Sequence, residues 1–164
     1  MNKGTVIMVC GLPGAGKTTL AKKFENERSA IRLCADEWIP TLLKDPKDPN
    51  DMEEADRLRT PVEHLLLKLG LNLAELGNNV ILDNGFWTTE DRNWYRDQIR
   101  NAGIKVELHF LDVPLETLWE RVNTRNKEEY PFKIESHWLE RWHKMFEPPT
   151  DEEGESYDYY QKYT

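Results

Sequence analysis

The sequence is poor in cysteine and in long apolar runs, and each shortage excludes a class of protein. Only two cysteines occur, Cys10 and Cys34, which predicts two buried, reduced thiols and argues against a disulfide framework or a metal site. The apolar runs fall far short of the roughly 20 residues that cross a bilayer. The first ten residues lack the small-residue cleavage site of a signal peptide. We therefore expect a cytoplasmic chain with no membrane association.

Positive charge is also scarce, because 22 lysines and arginines stand against 30 aspartates and glutamates, for a net charge of −8. A general binder of nucleic acid or of anionic membranes needs a basic surface. The charge balance therefore makes nucleic acid an unfavourable partner, although it is compatible with a small basic pocket. The length of 164 residues fits one domain, since domains usually contain about 100–200 residues.

What the sequence does contain is a regular alternation of short apolar strands and amphipathic helices. This order predicts an α/β fold in which helices cover both faces of a parallel sheet. The predicted strands cover residues 5–10, 30–34, 80–82 and 104–111, and the predicted helices cover about 17–28, 51–76, 88–103, a stretch from 114, and 134–146.

Two acidic segments depart from this alternation. Residues 45–56 hold six acids and one lysine and form either a solvated loop or a flap that faces the substrate. Residues 150–164 are acidic and rich in tyrosine. They form either a loosely ordered tail or a fifth edge strand of the domain that we assign to residues 1–149.

The strongest motif is Gly11-Leu-Pro-Gly-Ala-Gly-Lys17-Thr18, which fits the P-loop pattern G-x-x-x-x-G-K-[ST] in full. Glycines let backbone N–H groups approach phosphate oxygens without an intervening Cβ, and the following helix directs its positive end at the same anion. The motif follows an apolar strand and precedes a helix, as its function requires. The sequence therefore predicts a nucleoside triphosphate site, formed by Gly11, Pro13, Gly14, Ala15, Gly16, Lys17, Thr18 and Thr19.

The P-loop alone leaves kinase, GTPase and mechanical ATPase open. GTPases read their base with Asn-Lys-x-Asp, and the nearest run here, residues 126–129, ends in glutamate. Mechanical ATPases need further domains or signatures for which this length leaves no room. A kinase needs a carboxylate near the metal, a base near the acceptor hydroxyl and cations over the γ-phosphate.

Candidates for all three kinase functions occur in the expected order. Asp83 ends the third strand and is expected, with the Thr18 hydroxyl, to hold Mg²⁺. Asp36 follows the second strand, at the edge of the sheet where ligands collect, and is a candidate general base. Arg121 and Arg125 share one helical face and suit a transferring phosphoryl group. The structural alternatives are a helix cap for Asp36, a turn residue for Asp83 and a solvated face for the arginines.

Together these residues resemble the bacterial predicted P-loop kinases, often labelled "AAA family ATPase", which are similar to zeta toxins, chloramphenicol phosphotransferase and the kinase domain of phage polynucleotide kinase. The resemblance covers residues 4 to about 149. The motifs that carry it are Gly11-Leu-Pro-Gly-Ala-Gly-Lys-Thr18, Asp36-Glu-Trp38, Val80-Ile-Leu-Asp83, Gly85-Phe-Trp87 with Asp91-Arg92, Leu111-Asp-Val-Pro114 and Arg121-x-x-x-Arg125-Asn126.

The resemblance implies a three-layer P-loop kinase fold with a sheet ordered 2-3-1-4, a possible fifth strand and an arginine-bearing lid at about 121–134. It implies ATP and Mg²⁺ as cofactors, transfer to a hydroxyl, Asp36 as general base and Arg125 on the donor phosphates. In the polynucleotide kinases an arginine three residues after the base holds the acceptor's phosphate, but Ile39 stands at that position here.

We therefore expect an ATP-dependent phosphotransferase with catalytic Lys17, Asp36, Arg121 and Arg125, acting on a small-molecule acceptor that the sequence does not identify. A regulatory nucleotide-binding protein and a 5′-polynucleotide kinase are the alternatives. Trp38, beside Asp36, either packs or forms a wall of the acceptor pocket. Arg92 either reaches the site or pairs on the surface with Glu90 or Asp91.

Overall fold

The computed structural model describes residues 2–43, 49–127 and 133–164, with only the backbone described for residues 49–52. These residues form five strands and seven helices. In chain order they are β1 (Thr5–Cys10), α1 (Lys17–Arg28), β2 (Ala30–Leu33), α2 (Ala35–Leu42), α3 (Pro49–Glu75), β3 (Asn79–Gly85), α4 (Thr89–Asn101), β4 (Lys105–Leu111), α5 (Leu115–Arg125), α6 (Ser136–Met145), α7 (Asp151–Gly154) and β5 (Tyr159–Tyr163).

All strand pairs are parallel, and the sheet order is β2-β3-β1-β4-β5. The predicted order 2-3-1-4 is confirmed, and the tail supplies the fifth strand at the edge of the sheet, beside β4. Leu108 of β4 lies opposite Tyr160 of β5, and the Asp112 N–H extends the pairing by donating to the Tyr163 carbonyl at 2.7 Å. Of the two interpretations of the tail, the edge strand is the one that the structure shows.

The central strand β1 is buried on both faces, because its side chains alternate between two apolar layers. Val6, Met8 and Cys10 pack with the cluster that α3 and α4 cover, whereas Ile7 and Val9 pack with the cluster under α1. Each fully buried side chain of this kind contributes roughly 1.5–3 kcal/mol. Helices therefore cover both faces of the sheet, as predicted.

The C-terminal tail is fastened to the core through a buried ion pair. The Arg92 side chain of α4 has no exposed surface, and its Nε and Nη2 atoms donate to the Glu153 carboxylate at 2.6 and 2.8 Å. A third nitrogen, Nη1, donates to the carbonyl of Phe86 at 3.0 Å. The expectations that Arg92 reaches the site or pairs on the surface with Glu90 or Asp91 are both wrong, because the tail brings an acid from 61 residues away.

The carboxyl ends of β1, β2 and β3 bring the P-loop, Asp36 and Asp83 to one edge of the sheet. Helix α2 was not among the predicted helices. It begins directly after β2 and includes Asp36 in its first turn. Pro40 lies inside α2, and a proline there argues against a helix when only local sequence is considered. Residue 44, residues 45–48 of the acidic segment and residues 128–132 of the lid lie outside the described residues.

Both cysteines are buried and unpaired, and burial raises the pKa of each thiol to about 12. The prediction that both thiols are buried is confirmed. In the described parts of the chain, no helix combines the length and the apolar character that crossing a membrane requires.

Candidate active site

The P-loop turns between β1 and α1 with two glycines in the left-handed region of the backbone. Gly14 has φ 85° and Gly16, the N-cap of α1, has φ 98°. A Cβ on Gly14 would lie 2.9 Å from the Leu118 carbonyl oxygen and 3.0 Å from a Val122 methyl. Glycine is therefore required here by both conformation and space. Gly16 has no side chain to cap the helix, which leaves the N–H groups of the first turn to a bound anion.

The P-loop lysine folds back over the loop. Its Nζ atom donates to the Leu12 carbonyl at 3.1 Å, and Leu12 itself is buried with Ala15, Leu118, Val122 and Leu139. This small cluster packs α5 and α6 against the P-loop. Lys17 is only partly buried, so its ammonium group can exchange a neutral carbonyl for a charged phosphate oxygen.

Thr18 and Asp83 meet at the N-terminus of α1. The Thr18 hydroxyl donates to Asp83 Oδ2 at 3.3 Å, and Asp83 is only 4% exposed. Burial raises the pKa of Asp83, while Lys17, Arg32 and the hydrogen bond from Thr18 act in the opposite direction. Arg32 of β2 lies 3.6 Å from the same Asp83 oxygen, a contact that the sequence did not reveal because it joins two neighbouring strands.

The oxygens of Thr18 and Asp83 are the hard donors that Mg²⁺ prefers, and sites on phosphate substrates typically use one or two carboxylates, with phosphate and water oxygens completing the octahedron. Among the described residues, no group of three or more His, Cys, Asp or Glu side chains could hold a metal by itself. The residues present therefore fit a magnesium ion that arrives with the nucleotide.

Asp36 lies on the same edge of the sheet and is exposed. Its carboxylate accepts a hydrogen bond from Arg59 Nη1 of α3 at 2.8 Å, with the Asp36 side chain 56% exposed. Asp36 is close enough to Asp83 that its charge contributes to the raised pKa of Asp83. Ile39, the position at which the polynucleotide kinases carry an arginine, is buried. The guanidinium of Arg59 nonetheless contacts Asp36. Arg59 belongs to α3, a helix that the sequence analysis did not associate with Asp36.

The two arginines predicted for the lid both lie on α5. Arg121 Nη1 donates to the carbonyls of Gly14 and Ala15, at 3.2 and 3.4 Å, so it rests directly on the P-loop. It also lines a cavity of about 370 Å³ between the P-loop, α5 and the end of β5, to which Thr117, Tyr163 and Thr164 contribute. Arg125 is the last residue of α5 and is half-buried.

A second group of polar side chains lies on the α3 and α4 side of the same edge. Burial and the charge of Glu63 on α3 raise the pKa of Tyr95 on α4, and a hydrogen-bonding contact with Asn84 at the end of β3 lowers it. The sequence did not single out any of the three. Glu63 and Tyr95 are separated by 32 positions and belong to different helices, so no local sequence motif identifies them.

Comparison with known proteins gives the same fold. A family model described as an AAA domain matches residues 6–149. The adenylate kinase of Streptococcus uberis (strain ATCC BAA-854 / 0140J) is 25% identical over 163 residues, which cover 95% of this chain and 73% of that protein.

Two solved structures extend the comparison. A proposed kinase from Chloroflexus aurantiacus J-10-fl superposes with a TM-score of 0.74 at 19% identity, covering 91% of this chain and 80% of the other. The APS kinase of Mycobacterium tuberculosis, solved in complex with AMPPNP and APS, has a TM-score of 0.63 at 20% identity and covers 99% of this chain and 90% of its own. The chain shares the fold of these two structures, which agrees with the fold that the sequence predicted.

Proposed function

The chain belongs to the AAA domain family, and from this membership and the geometry of the site we propose that it is an ATP-dependent phosphotransferase acting on a hydroxyl of a small-molecule acceptor. The observation that carries the proposal is the position of Asp36. Its exposed carboxylate lies on the same edge of the sheet as Lys17, Thr18 and Asp83, close enough to Asp83 to affect its pKa.

The nucleotide would bind with its phosphates on the P-loop amides and Lys17. Arg121 already contacts the loop's carbonyls, and we propose that it and Arg125 offset the negative charge of the donor phosphates. The cavity beside Arg121 is the place for the nucleoside. Thr18 and Asp83 would hold Mg²⁺, which when bound neutralises phosphate charge.

In the transfer step, the acceptor oxygen attacks the γ-phosphorus and the bond from that phosphorus to the β–γ bridging oxygen breaks. ADP leaves with the bridging oxygen, and the proton of the acceptor hydroxyl passes to Asp36. Arg59, which donates to Asp36 Oδ1, would hold that carboxylate in place.

The test separates nucleotide binding from transfer. ADP release is measured with ATP, Mg²⁺ and a panel of hydroxylated metabolites and antibiotics, for the wild type and for Asp36→Asn. We expect an acceptor that stimulates ADP release in the wild type and fails to do so in Asp36→Asn, while calorimetry finds the same ADP affinity in both. Asp97→Asn, a surface acid on α4, is the matched control and should behave as the wild type.

Three outcomes would contradict the proposal. Full acceptor-stimulated release by Asp36→Asn would remove Asp36 as the base. Tight ADP binding without stimulation by any acceptor would favour a regulatory nucleotide-binding protein, the alternative that the sequence left open. Stimulation by 5′-hydroxyl oligonucleotides alone would instead favour a polynucleotide kinase.

A further inference from the structure

Beside the phosphate site, the end of β3 directs two adjacent side chains to different neighbours. Ile81 packs in the cluster under α1, and Leu82 packs in the cluster under α3 and α4. The next two residues continue this division, because Asp83 bonds to Thr18 of α1 whereas Asn84 interacts with Tyr95 of α4. Asn84 therefore belongs to the compartment bounded by α2, α3 and α4.

This compartment contains polar atoms that the described part of the protein does not satisfy. Tyr95 is only 5% exposed, and its hydroxyl has no hydrogen-bond partner of good geometry among the described residues. The same is true of both polar atoms of the Asn84 amide, which lies close enough to the Tyr95 hydroxyl to lower the Tyr95 pKa as a hydrogen-bonding neighbour but outside good hydrogen-bond geometry. A buried polar group without a partner costs about 1–3 kcal/mol, so these atoms are expected to bind a ligand or ordered water.

The charged groups that face this compartment are mostly acidic. Burial raises the pKa of Glu63 to about 7, Arg59 lowers it, and the charges of Asp36 and Asp91 raise it further. The described charged residues around Glu63 are thus two other carboxylates and one guanidinium, which is already bonded to Asp36. The charges of Glu63 and Asp91 also reach the Tyr95 hydroxyl, so that hydroxyl faces the same group of acids.

We propose that Glu63, Asn84 and Tyr95 form the acceptor site and that the acceptor is a hydroxylated amine. This inference rests on the proposed function. The Asn84 amide and the Tyr95 hydroxyl would bind hydroxyl groups of the acceptor, and Glu63 would bind its ammonium group through a charge-assisted hydrogen bond. Asp36, on the neighbouring helix, would receive the proton of the reacting hydroxyl. An acceptor with a carboxylate or phosphate would meet an excess of negative charge and is disfavoured.

The experiment uses three pyranoses of nearly equal size and different charge, D-glucosamine, D-glucose and D-glucuronate, as probes. Binding of each to the full chain saturated with ADP and Mg²⁺ is measured by ligand-detected NMR. We expect millimolar affinities in the order amine, neutral sugar, acid. Glu63→Gln should weaken glucosamine binding about tenfold, the share of one charge-assisted bond, and leave glucose binding unchanged. Tyr95→Phe should weaken glucosamine and glucose alike.

Glu75→Gln, an exposed acid near the other end of the same helix, is the matched control and should leave the order and the affinities unchanged. Tightest binding of glucuronate, lost in Arg59→Gln, would overturn the inference in favour of an anionic acceptor. Equal binding of the three probes, no binding, or affinities indifferent to Glu63→Gln would also overturn it, and the polar atoms would then hold buried water only. Failure of the proposed function is recognised separately, because no acceptor would then stimulate ADP release from ATP by the wild type.

Discussion

The two halves of the candidate site differ in how far the protein satisfies its own polar groups. On the nucleotide side, Lys17 bonds to a loop carbonyl, Thr18 to Asp83 and Arg121 to the P-loop backbone. Arg32 Nη1 is an exception, because it lies 3.6 Å from Asp83 and has no hydrogen-bond partner among the described residues. On the acceptor side, the Tyr95 hydroxyl and the Asn84 amide have no hydrogen-bond partner of good geometry among the described residues. Phosphotransferases of the proposed kind share the nucleoside triphosphate, so the protein can position the groups that bind it before the nucleotide is present. The acceptor varies between them, and under our proposal its groups would complete the other half.

The two halves share β3, which supplies Asp83 to one and Asn84 to the other. The pairing of β1 with β3 shifts register at this point, since Met8 lies opposite Leu82 and Cys10 opposite Gly85. A bulge of this kind re-aims side chains and is frequent beside active sites. The loop after β3 continues with Phe86 at φ 51°, a conformation that costs a non-glycine residue roughly 1–3 kcal/mol. The surrounding structure must hold it in place.

The largest effect is expected from breaking the bond that holds this shared segment. Arg92→Met removes the guanidinium that joins the Phe86 carbonyl to Glu153 and leaves the Glu153 carboxylate, itself 9% exposed, without its partner. Removing one member of a buried pair costs about 3–5 kcal/mol. We expect a loss of that size in the free energy of unfolding, measured with urea, and weaker binding on both sides of the site.

Arg100→Met is the control for this prediction, because Arg100 lies on the same helix and makes only an exposed contact with Asp158 at 3.8 Å. Its loss should cost about 1 kcal/mol or less. Adding Glu153→Leu to Arg92→Met should recover part of the stability, since no unpaired acid then remains. An unfolding free energy that stays the same in Arg92→Met would show that the tail does not support this segment.

The next effect is confined to the nucleotide side. Gly14→Ala places a Cβ at φ 85° and within 2.9 Å of the Leu118 carbonyl, which combines backbone strain of about 1–2 kcal/mol with a displacement of α5 from the P-loop. We expect a loss of about 2 kcal/mol in stability and a drop of roughly tenfold or more in ADP affinity by calorimetry, a factor equivalent to about 1.4 kcal/mol.

Gly103→Ala is matched to it, because Gly103 has φ 66° and ordinary space around the added Cβ, with the nearest atom 3.5 Å away. It should lose stability through strain and keep the affinity for ADP. Equal losses of ADP affinity in both variants would mean that the loop responds to general destabilisation and not to its own geometry.

The parts of the site that could be predicted from the sequence are those whose chemistry follows from local spacing. The P-loop lies in one continuous segment, and Asp83 follows an apolar run, so the sequence alone was enough to place both at the sheet edge. Helix α2 was missed because Pro40 contradicts the local preference for a helix, and the buried face of Ile39 stabilises it only in three dimensions. The fifth strand was one of two alternatives, since its acids and tyrosines also suit a loose tail.

The acceptor side could not be predicted for a different reason. Arg59 bonds to a residue 23 positions away, and Arg92 bonds to one 61 positions away. Such pairs depend on how α3, α4 and the tail pack on the sheet, and a single sequence carries no signal for them.

The smallest expected effect tests whether the ionised Glu63 on the acceptor side lowers the stability of the folded protein. The folded protein raises the pKa of Glu63 from 4.5 to about 7, so between these values the folded state binds more protons at this position than the unfolded state. Stability therefore falls as the pH rises through this range and levels off above it. One pKa unit corresponds to about 1.4 kcal/mol, and because Glu63 retains some contact with solvent we expect a difference of about 1–2 kcal/mol.

Glu63→Gln removes this titration. Urea unfolding is measured at pH 5 and pH 8. Between these two pH values the wild type should lose more stability than Glu63→Gln does. Glu75→Gln should lose as much as the wild type. If Glu63→Gln and the wild type change in parallel, Glu63 is ordinary and solvated. The contrast between the two sides of the site would then rest on Asn84 and Tyr95 alone. Burial of the Glu63 carboxylate would cost no free energy that a ligand could recover.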